Sequence, residues 1–398
     1  MTEATPPRPL AAGRGSRNES TRRHNLSTLL SLVHHRRSAS RAELTRLTGL
    51  NRSTIGALVA DLATAGLVEE TAPATGTVGR PSPIIRPDSR VAAIAVNPDV
   101  DAILVGLVGL GGVVHGRRRI ALAGVPSVDA SVDRVRTAVA DLTAGAPVDL
   151  RVVGVGLAVP GLVRTSEGVV TRAPHLLWRD EPVAAAYAEA FGVPAAVDND
   201  ANTALAAETL FGAGRERSDL IYLNGSTSGI GGGVLVAGAV LRGADGFAGE
   251  LGHTLVTPGG EDCHCGRSGC LETEVNLQRL EAAAGDRPLN HDDLDAALAG
   301  VLPPALSDEI DRQVDILARA IASFVSVFNP ESVILGGFLG TLGALRTERL
   351  EAAVAAHAFS PLADDLRIER AALRDDLLMV GAAELAFASL LADPLGER

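Results

Sequence analysis

Residues 246–272 read GFAGELGHTLVTPGGEDCHCGRSGCLE. All three cysteines of the 398-residue chain fall in this stretch, at 263, 265 and 270, with histidines at 253 and 264. One imidazole and three thiolates complete a tetrahedral shell for zinc. The short Cys-x-Cys step and the glycines around it let the backbone curl tightly about a single ion. Four protein ligands close the shell, so the implied role is structural rather than hydrolytic. The residues alone leave the histidine open between His253 and His264. Clustered cysteines fit a metal site better than a disulfide framework, with buried free thiols as the plain alternative.

Two further runs lie upstream. Val197-Asp198-Asn199-Asp200-Ala201-Asn202 stands where a strand pattern gives way to a helix pattern. Carboxylates and amides at such a junction suit the gripping of hydroxyl groups, and Asp200 has the chemistry of a general base. Asp and Asn are also favoured helix caps, so Asn199 or Asp200 can serve both purposes. The run GSTSGIGGG, Gly225–Gly233, can cradle phosphate through its amides or simply turn a hairpin.

The surrounding pattern is α/β. Strands are expected at Ala92–Val96, Ala102–Val108, Val113–Ile120, Val152–Ala158 and Ala195–Val197, with helices at Val128–Thr143, Val183–Phe191 and Asn202–Phe211. The cycle restarts with strands at Leu220–Leu223, Gly233–Val236 and Ser332–Leu335, and a last helix near Leu378–Leu391. Strands first, then alternating helices and strands, twice over, predict two α/β lobes with a cleft between them.

The first ninety residues follow another plan. Leu26, Leu29, Leu30 and Val33 give one apolar helix face within Asn25–His35. Ser40 with Glu43 forms a capping box for a second helix, Gly49 breaks it, and Asn51 caps a third from Arg52 to about Ala65. Helix, short glycine turn, helix is helix-turn-helix geometry, which brings Arg52, Ser53 and Thr54 to base edges or phosphates. LVEE and SPIIRP read as two strands round the loop Thr71–Arg80, a wing with Arg80 at its base. A small bundle for protein contacts is the competing reading.

Charge separates the two plans. Residues 1–60 hold ten arginines against three acids, a net of +7, which leaves −19 on the rest of a chain whose total is −12. A basic end on an acidic body points to nucleic-acid contact through that end alone. Lysine is absent throughout, which reads as compositional bias. Hydrophobic residues make up 46% and aromatics only 3%, so the cores are expected to be built from Ala, Val and Leu. No run reaches the roughly 18 apolar residues of a membrane span, so no membrane insertion is expected. Met1–Ser20 lacks the apolar centre of a signal peptide and reads as a disordered basic arm, which makes cytoplasmic residence the expectation.

Taken in order, DNDAN, GFAGELGH and the cysteine run ending Gly269-Cys270-Leu271-Glu272 resemble the ROK family of repressors, open reading frames and kinases. NRSTIGALVADLATAGLV with the following GRPS is similar to the winged helix-turn-helix of its regulators, of the xylose- or N-acetylglucosamine-repressor kind. The resemblance implies a two-lobed actin-like ATPase (RNase H-like) sugar-kinase fold behind a winged helix-turn-helix. Expected boundaries are a disordered arm at 1–21, the DNA-binding domain at 22–88, a first lobe at 89–215 and a second at 216–398. The last helix is free to pack back on the first lobe. It implies sugar-binding roles for Asn199, Asp200, Glu250, His253, Glu272 and Gly161. It also selects His253, with Cys263, Cys265 and Cys270, as the ligands of a structural zinc that fixes the loop presenting Glu250 and Glu272.

Two departures bear on activity. Family kinases place Asp-x-Gly-Gly-Thr after the first strand of the body to hold ATP phosphates; here the strand runs into Asn97-Pro98-Asp99-Val100-Asp101. Pro98 has no amide hydrogen to donate, and the added carboxylates repel phosphate. Kinase activity is therefore expected to be lost, with no catalytic residue and Asp200 a vestigial base. His175 stands where the family often has Asn, which keeps a hydrogen-bonding group and is expected to alter sugar choice. The leading expectation is a sugar-responsive regulator, a repressor of carbohydrate genes. Its partners would be operator DNA and a monosaccharide or sugar-phosphate effector, and it would act as a homodimer or homotetramer. The alternatives are a sugar kinase carrying a DNA-binding domain and a scaffold that binds another protein.

Overall fold

The computed structural model describes residues 14–71, 82–145, 149–289 and 293–396. The chain divides into two compact units, Met1–Val91 with Phe387–Arg398, and Ala92–Ala386.

In the first unit, helices α1 (Arg14–Arg36), α2 (Arg41–Thr48) and α3 (Arg52–Thr64) accompany a sheet of β1 (Ala39–Ser40), β2 (Val68–Thr71) and β3 (Ile84–Pro87). The sheet order is β1-β3-β2, antiparallel throughout. Leu29, Leu30, Val33, Leu44, Ile55, Leu62, Leu67 and Ile85 are all fully buried, so the apolar faces read from the sequence do meet. The caps form as expected. Ser40 Oγ accepts from Glu43 N at 3.1 Å, Gly49 ends α2 in the left-handed region, and Asn51 Oδ1 accepts from Thr54 N at 2.9 Å. Helix α1 begins at Arg14, well ahead of the expected Asn25, and so takes in residues 14–21 of the stretch read as a disordered arm. The remainder of that arm and most of the expected wing loop, Arg80 included, lie outside the described residues.

The second unit contains two five-stranded sheets built to one plan. The first uses β4 (Val91–Pro98), β5 (Ala102–Gly109), β6 (Val113–Ala121), β7 (Arg151–Val159) and β11 (Ala195–Asn199), in the order β11-β7-β4-β5-β6. Helix α4 (Val128–Ala144) precedes β7, and α5 (Val183–Phe191) precedes β11. A small sheet of β8 (Leu162–Arg164), β9 (Val169–Ala173) and β10 (Trp178–Glu181) lies between β7 and α5 in the chain. Helix α6 (Asp200–Phe211) leads to the second large sheet.

That sheet holds β12 (Leu220–Ser226), β13 (Gly229–Val236), β14 (Ala239–Val240), β15 (Ser332–Gly336) and β16 (Arg367–Arg370), in the order β14-β13-β12-β15-β16. In both sheets the first strand is central, with two antiparallel hairpin strands on one side and two strands reached through helices on the other. This repeat is the actin-like arrangement. Helices α7 (Leu271–Glu274), α8 (Leu277–Ala284), α9 (Leu294–Ala297), α10 (Pro304–Phe328), α11 (Gly337–Leu345) and α12 (Thr347–His357) belong to the second half.

Each sheet has its own aliphatic core. One gathers Val96, Val105, Val135 and Leu157; the other gathers Leu223, Ile310, Leu317 and Leu335. A third cluster joins Leu205 and Phe211 of α6 to Tyr222, Leu235 and Ile334. The last helix, α13 (Leu377–Ala392), lies against the first sheet. A Cβ on Gly156 of β7 would stand 1.7 Å from the Ala382 carbonyl, so only glycine admits that contact. No helix among the described residues is long and apolar enough to cross a membrane.

Candidate functional site

Strand β11 ends at Asn199 and α6 begins at Asp200, so the carboxylate-amide run sits at a helix N-terminus. Asn199 Oδ1 caps the helix by accepting from Ala201 N and Asn202 N at 2.9 and 3.2 Å. Its Nδ2 donates to the Gly161 carbonyl at 3.0 Å, so one amide both caps α6 and holds the turn after β7. Gly161 has φ 142°, and a Cβ there would meet the Arg172 carbonyl at 2.4 Å.

These residues open onto a cavity of about 370 Å³. Gly161, Asn199 and Asp200 line one side; Glu250, His253 and Glu272 line the other. All six residues expected to grip a polyhydroxylated ligand therefore meet in one place. Burial, reinforced by nearby Asp99, pushes the Asp200 carboxyl up to about 6. Desolvation, then the charges of Asp200 and Glu272, pushes Glu250 up to about 7, although 45% of its side chain still reaches solvent. The carboxylates of Asp200, Glu250 and Glu272 offer acceptors suited to a ligand rich in hydroxyl donors.

Sequence reasoning did not place Arg172, Asn224, Ser226, Ser228 or Arg267 at this cavity. Asn224, Ser226 and Ser228 sit in or beside the glycine-rich run, whose glycines draw attention away from them. That run resolves as a hairpin: β12 pairs with β13 across Thr227 and Ser228, and β13 starts at Gly229 rather than Gly233.

Behind Glu272 the cysteine loop folds on itself. Cys263 N donates to the Arg267 carbonyl at 2.7 Å, and Gly266 N to the Cys263 carbonyl at 2.9 Å. Gly269 has φ 81°, and a Cβ there would lie 1.7 Å from the Thr257 carbonyl. His253, Cys263, Cys265 and Cys270 offer ligand atoms all within 4.8 Å of one another and can hold a metal ion. Cys265 Sγ stands 3.6 Å from Cys270 Sγ, and Cys263 Sγ 3.5 Å from His253 Nδ1. A tetrahedral zinc with bonds of about 2.3 Å to sulfur has edges near 3.8 Å, so the set fits. His253, His264 and Glu272 form a second grouping that shares one histidine. Nδ1 of His253 faces the thiols while its Nε2 faces Glu250 at 3.7 Å, so the imidazole spans the loop and the cavity.

Asn224 and Ser226 also border a larger cavity of about 890 Å³. Its wall carries Asp99, Asp101, Asp375 and Asp376 as well as Arg117, Arg119 and Arg370. These arginines are already committed: Arg117 to Asp375 and Asp376 at 3.3 and 3.2 Å, Arg119 to Asp101, and Arg370 to Asp295 at 2.8 Å. Asn97, which also lines this cavity, is largely buried, and its Nδ2 donates to the Ala158 carbonyl at 2.9 Å.

Of the residues expected to meet nucleic acid, Arg52 and Ser53 are exposed at the start of α3 and Thr54 is half-buried. Ser53 and Thr54 hydroxyls both donate to Asn51 Oδ1, at 2.7 and 3.0 Å.

The model of the ROK family matches residues 101–389. The xylose repressor of Caldicellulosiruptor bescii is 27% identical over 391 residues, which cover 93% of this chain and 97% of that protein. A ROK family transcriptional regulator, a homolog of the E. coli MLC protein, superposes with a TM-score of 0.74 at 24% identity, over 94% of this chain and 97% of its own. A ROK family glucokinase from Streptomyces griseus, solved with glucose and AMPPNP, gives a TM-score of 0.62 at 27% identity, over 75% of this chain and 99% of its own.

Proposed function

This chain belongs to the ROK family, and from that premise we propose that it is a sugar-responsive, DNA-binding transcriptional repressor of carbohydrate uptake or catabolism genes. One observation carries the reading. The glucokinase is spanned almost completely by three quarters of this chain, whereas the repressor needs 93% of it. The family match starts at residue 101, after the unit that contains α2 and α3.

In this reading Asn199, Asp200, Glu250, His253, Glu272 and Gly161 hold the sugar. The carboxylates accept from its hydroxyls, and the Asn199 amide keeps the Gly161 turn against them. His253, Cys263, Cys265 and Cys270 hold a structural zinc. The ion, when bound, closes the loop so that Glu272 and the outer nitrogen of His253 face the cavity at fixed positions. Arg52, Ser53 and Thr54 read operator DNA from the N-terminus of α3, with Arg80 assigned to phosphate or the minor groove. The protein acts in the cytoplasm as a homodimer or homotetramer. Sugar binding shifts lobe closure and with it the spacing of paired recognition helices.

The kinase reading retains Asp200 but is disfavoured by the changed loop at Asn97–Asp101. Asp99 and Asp101 stand where the family phosphate loop has glycine and threonine, and Arg117 and Arg119 of the cavity wall are paired with neighbouring carboxylates. The deciding experiment is fluorescence anisotropy of DNA from upstream of the gene, titrated with zinc-loaded protein with and without sugars, D-xylose and D-glucose first. Binding that one sugar weakens at least tenfold is the expected result. Sugar-dependent ATP consumption abolished by Asp200→Ala would establish the kinase instead.

A further inference from the structure

The two cavities of the second unit meet at Asn224 and Ser226 of β12, which line both. Asp99 stands on the wall of the larger cavity, and its charge reaches Asp200 on the wall of the smaller. A ligand held against Asp200 therefore has one edge turned toward the larger space. Pockets of about 300–1,000 Å³ serve small organic ligands. The smaller cavity, about 370 Å³, is at the low end of that range and suits one sugar ring. The larger, about 890 Å³, would stay unused by a monosaccharide.

The larger cavity is lined in two ways. Leu277, Leu294 and Phe338 contribute apolar surface; Asp295, Arg370 and Arg117 contribute polar groups. Asp295 of α9 is fixed from two other elements. Thr341 of α11 donates to its Oδ1 at 2.8 Å, and Arg370 of β16 pairs with its Oδ2 at 2.8 Å. Arg370 also donates to Thr341 at 3.1 Å, which closes a triangle. Yet 42% of the Asp295 side chain remains exposed. A carboxylate set in place and partly open keeps lone pairs for further donors, and a guanidinium has more N–H groups than these pairs take up. Groups ordered in advance cost a ligand little on binding.

We infer that the effector is a disaccharide. One ring lies in the smaller cavity, and the second, linked at the hydroxyl nearest Asp200, lies in the larger cavity against Asp295. This rests on the sugar-sensing reading above and names the ligand class within it. A pyranose has C–H faces that pack on apolar side chains and a rim of hydroxyls that both donate and accept. The larger cavity offers both surfaces. A phosphate is served less well, because Arg117 and Arg370 are already offset by carboxylates and Asp99 and Asp101 add like charge.

The test is calorimetric titration of the zinc-loaded full chain with D-xylose, D-glucose, D-glucose 6-phosphate, xylobiose, cellobiose, isomaltose and gentiobiose. One disaccharide should bind at least tenfold more tightly than its constituent monosaccharide. Asp295→Ala should lose at least fivefold on that disaccharide and hold the monosaccharide within twofold of wild type. Ala372→Trp fills the larger cavity from an exposed position on its wall and should be selective in the same way, with the Asp295 triangle untouched. Zinc content and sugar-free DNA binding should be unchanged in both variants, which separates a lost subsite from a lost fold. If a monosaccharide binds and no disaccharide binds more tightly, or if D-glucose 6-phosphate binds more tightly than all of them, the disaccharide is overturned while sugar sensing stands. Equal losses for both sizes of sugar in both variants would overturn the placement of the second ring. Wild type binding no sugar at all would overturn the sensing reading itself, and this inference with it.

Discussion

Arg242 Nη2 donates to Asp198 Oδ2 at 2.7 Å, tying the loop that leads to Glu250 to the strand end that carries Asn199 and Asp200. Thr165 completes the clasp, donating to Asp198 Oδ1 at 3.0 Å, and Asn199 N donates to the same oxygen at 2.8 Å. The Asp198 side chain is 3% exposed and that of Arg242 41%. Two walls of the cavity that are far apart in sequence thus share one buried carboxylate.

Removing the guanidinium takes the cation from that carboxylate and leaves it the Thr165 and Asn199 donors, both on Oδ1. Arg242→Ala should cost about 1–3 kcal/mol, held to that range because the arginine is partly solvated. It should also weaken sugar binding, since Glu250 loses its anchor. Arg242→Lys should recover only part, because a single ammonium cannot reproduce the planar fork. Differential scanning calorimetry and sugar titration together check this. Unchanged sugar affinity in Arg242→Ala would remove the positioning role.

The metal set makes a sharper distinction than the cysteines alone. Cys270→Ser and His253→Gln should each abolish stoichiometric zinc by elemental analysis, and sugar response with it. His264→Ala should keep the zinc, because its ring belongs to the alternative grouping with Glu272. Zinc lost from His264→Ala and kept in His253→Gln would reverse the assignment.

Asp200 gives a pH signature. Its carboxyl is raised from 3.8 to about 6, chiefly by burial. The folded state therefore binds this proton more tightly than the unfolded chain does. Its contribution to stability is fully present below about pH 4 and is lost as pH rises through 6. Asp200→Asn removes the penalty, so the variant should be more stable than wild type by on the order of 2 kcal/mol at pH 8 and nearly equal at pH 4. It should also bind sugar poorly. Thermal midpoints across pH 4–8 test the sign, and a gain that does not grow with pH would refute it.

Much of this site was legible before any coordinate, and the reason is local chemistry. The Ser40 and Asn51 caps, the Asp198–Asn202 junction and the cysteine loop each declare themselves within a few residues. What escaped depends on distant partners. Gly156 reads as an ordinary strand glycine until the Ala382 carbonyl, from the last helix, is placed against it. The Arg242 clasp needs Thr165 and Asp198, which no spacing rule connects to it. The glycine run is open to two readings because amides that can cradle phosphate can equally turn a hairpin; β12 pairs with β13 through that turn, and Gly225, Ser226 and Thr227 also line the larger cavity. Helix α1 was started late because its first turns carry no apolar face to mark them.

The larger cavity predicts a failure to bind nucleotide. AMPPNP with magnesium should produce no thermal shift in wild type, since Asp99 and Asp101 meet the phosphates with like charge and Arg117 and Arg119 are occupied. Rebuilding the family loop with Asn97→Asp, Asp99→Gly, Val100→Gly and Asp101→Thr should restore a measurable shift. A shift in wild type equal to that of the rebuilt loop would mean that the carboxylates do not exclude phosphate.

The start of α3 separates base reading from helix stability. Arg52 is exposed there and is not needed to hold the helix, whereas Asn51 Oδ1 accepts from the Thr54 amide and from both hydroxyls beside it. Arg52→Ala should therefore leave the melting temperature unchanged and cost about 1–3 kcal/mol of operator affinity, with specificity relaxed at one base position if the contact is to guanine. Asn51→Ala should lower stability by about 1 kcal/mol through loss of the cap, and weaken all DNA sequences alike. Anisotropy against a panel of single-base operator variants distinguishes them. If Arg52→Ala weakens every sequence equally and reduces the salt dependence by one phosphate, the residue grips the backbone and a neighbour reads the base.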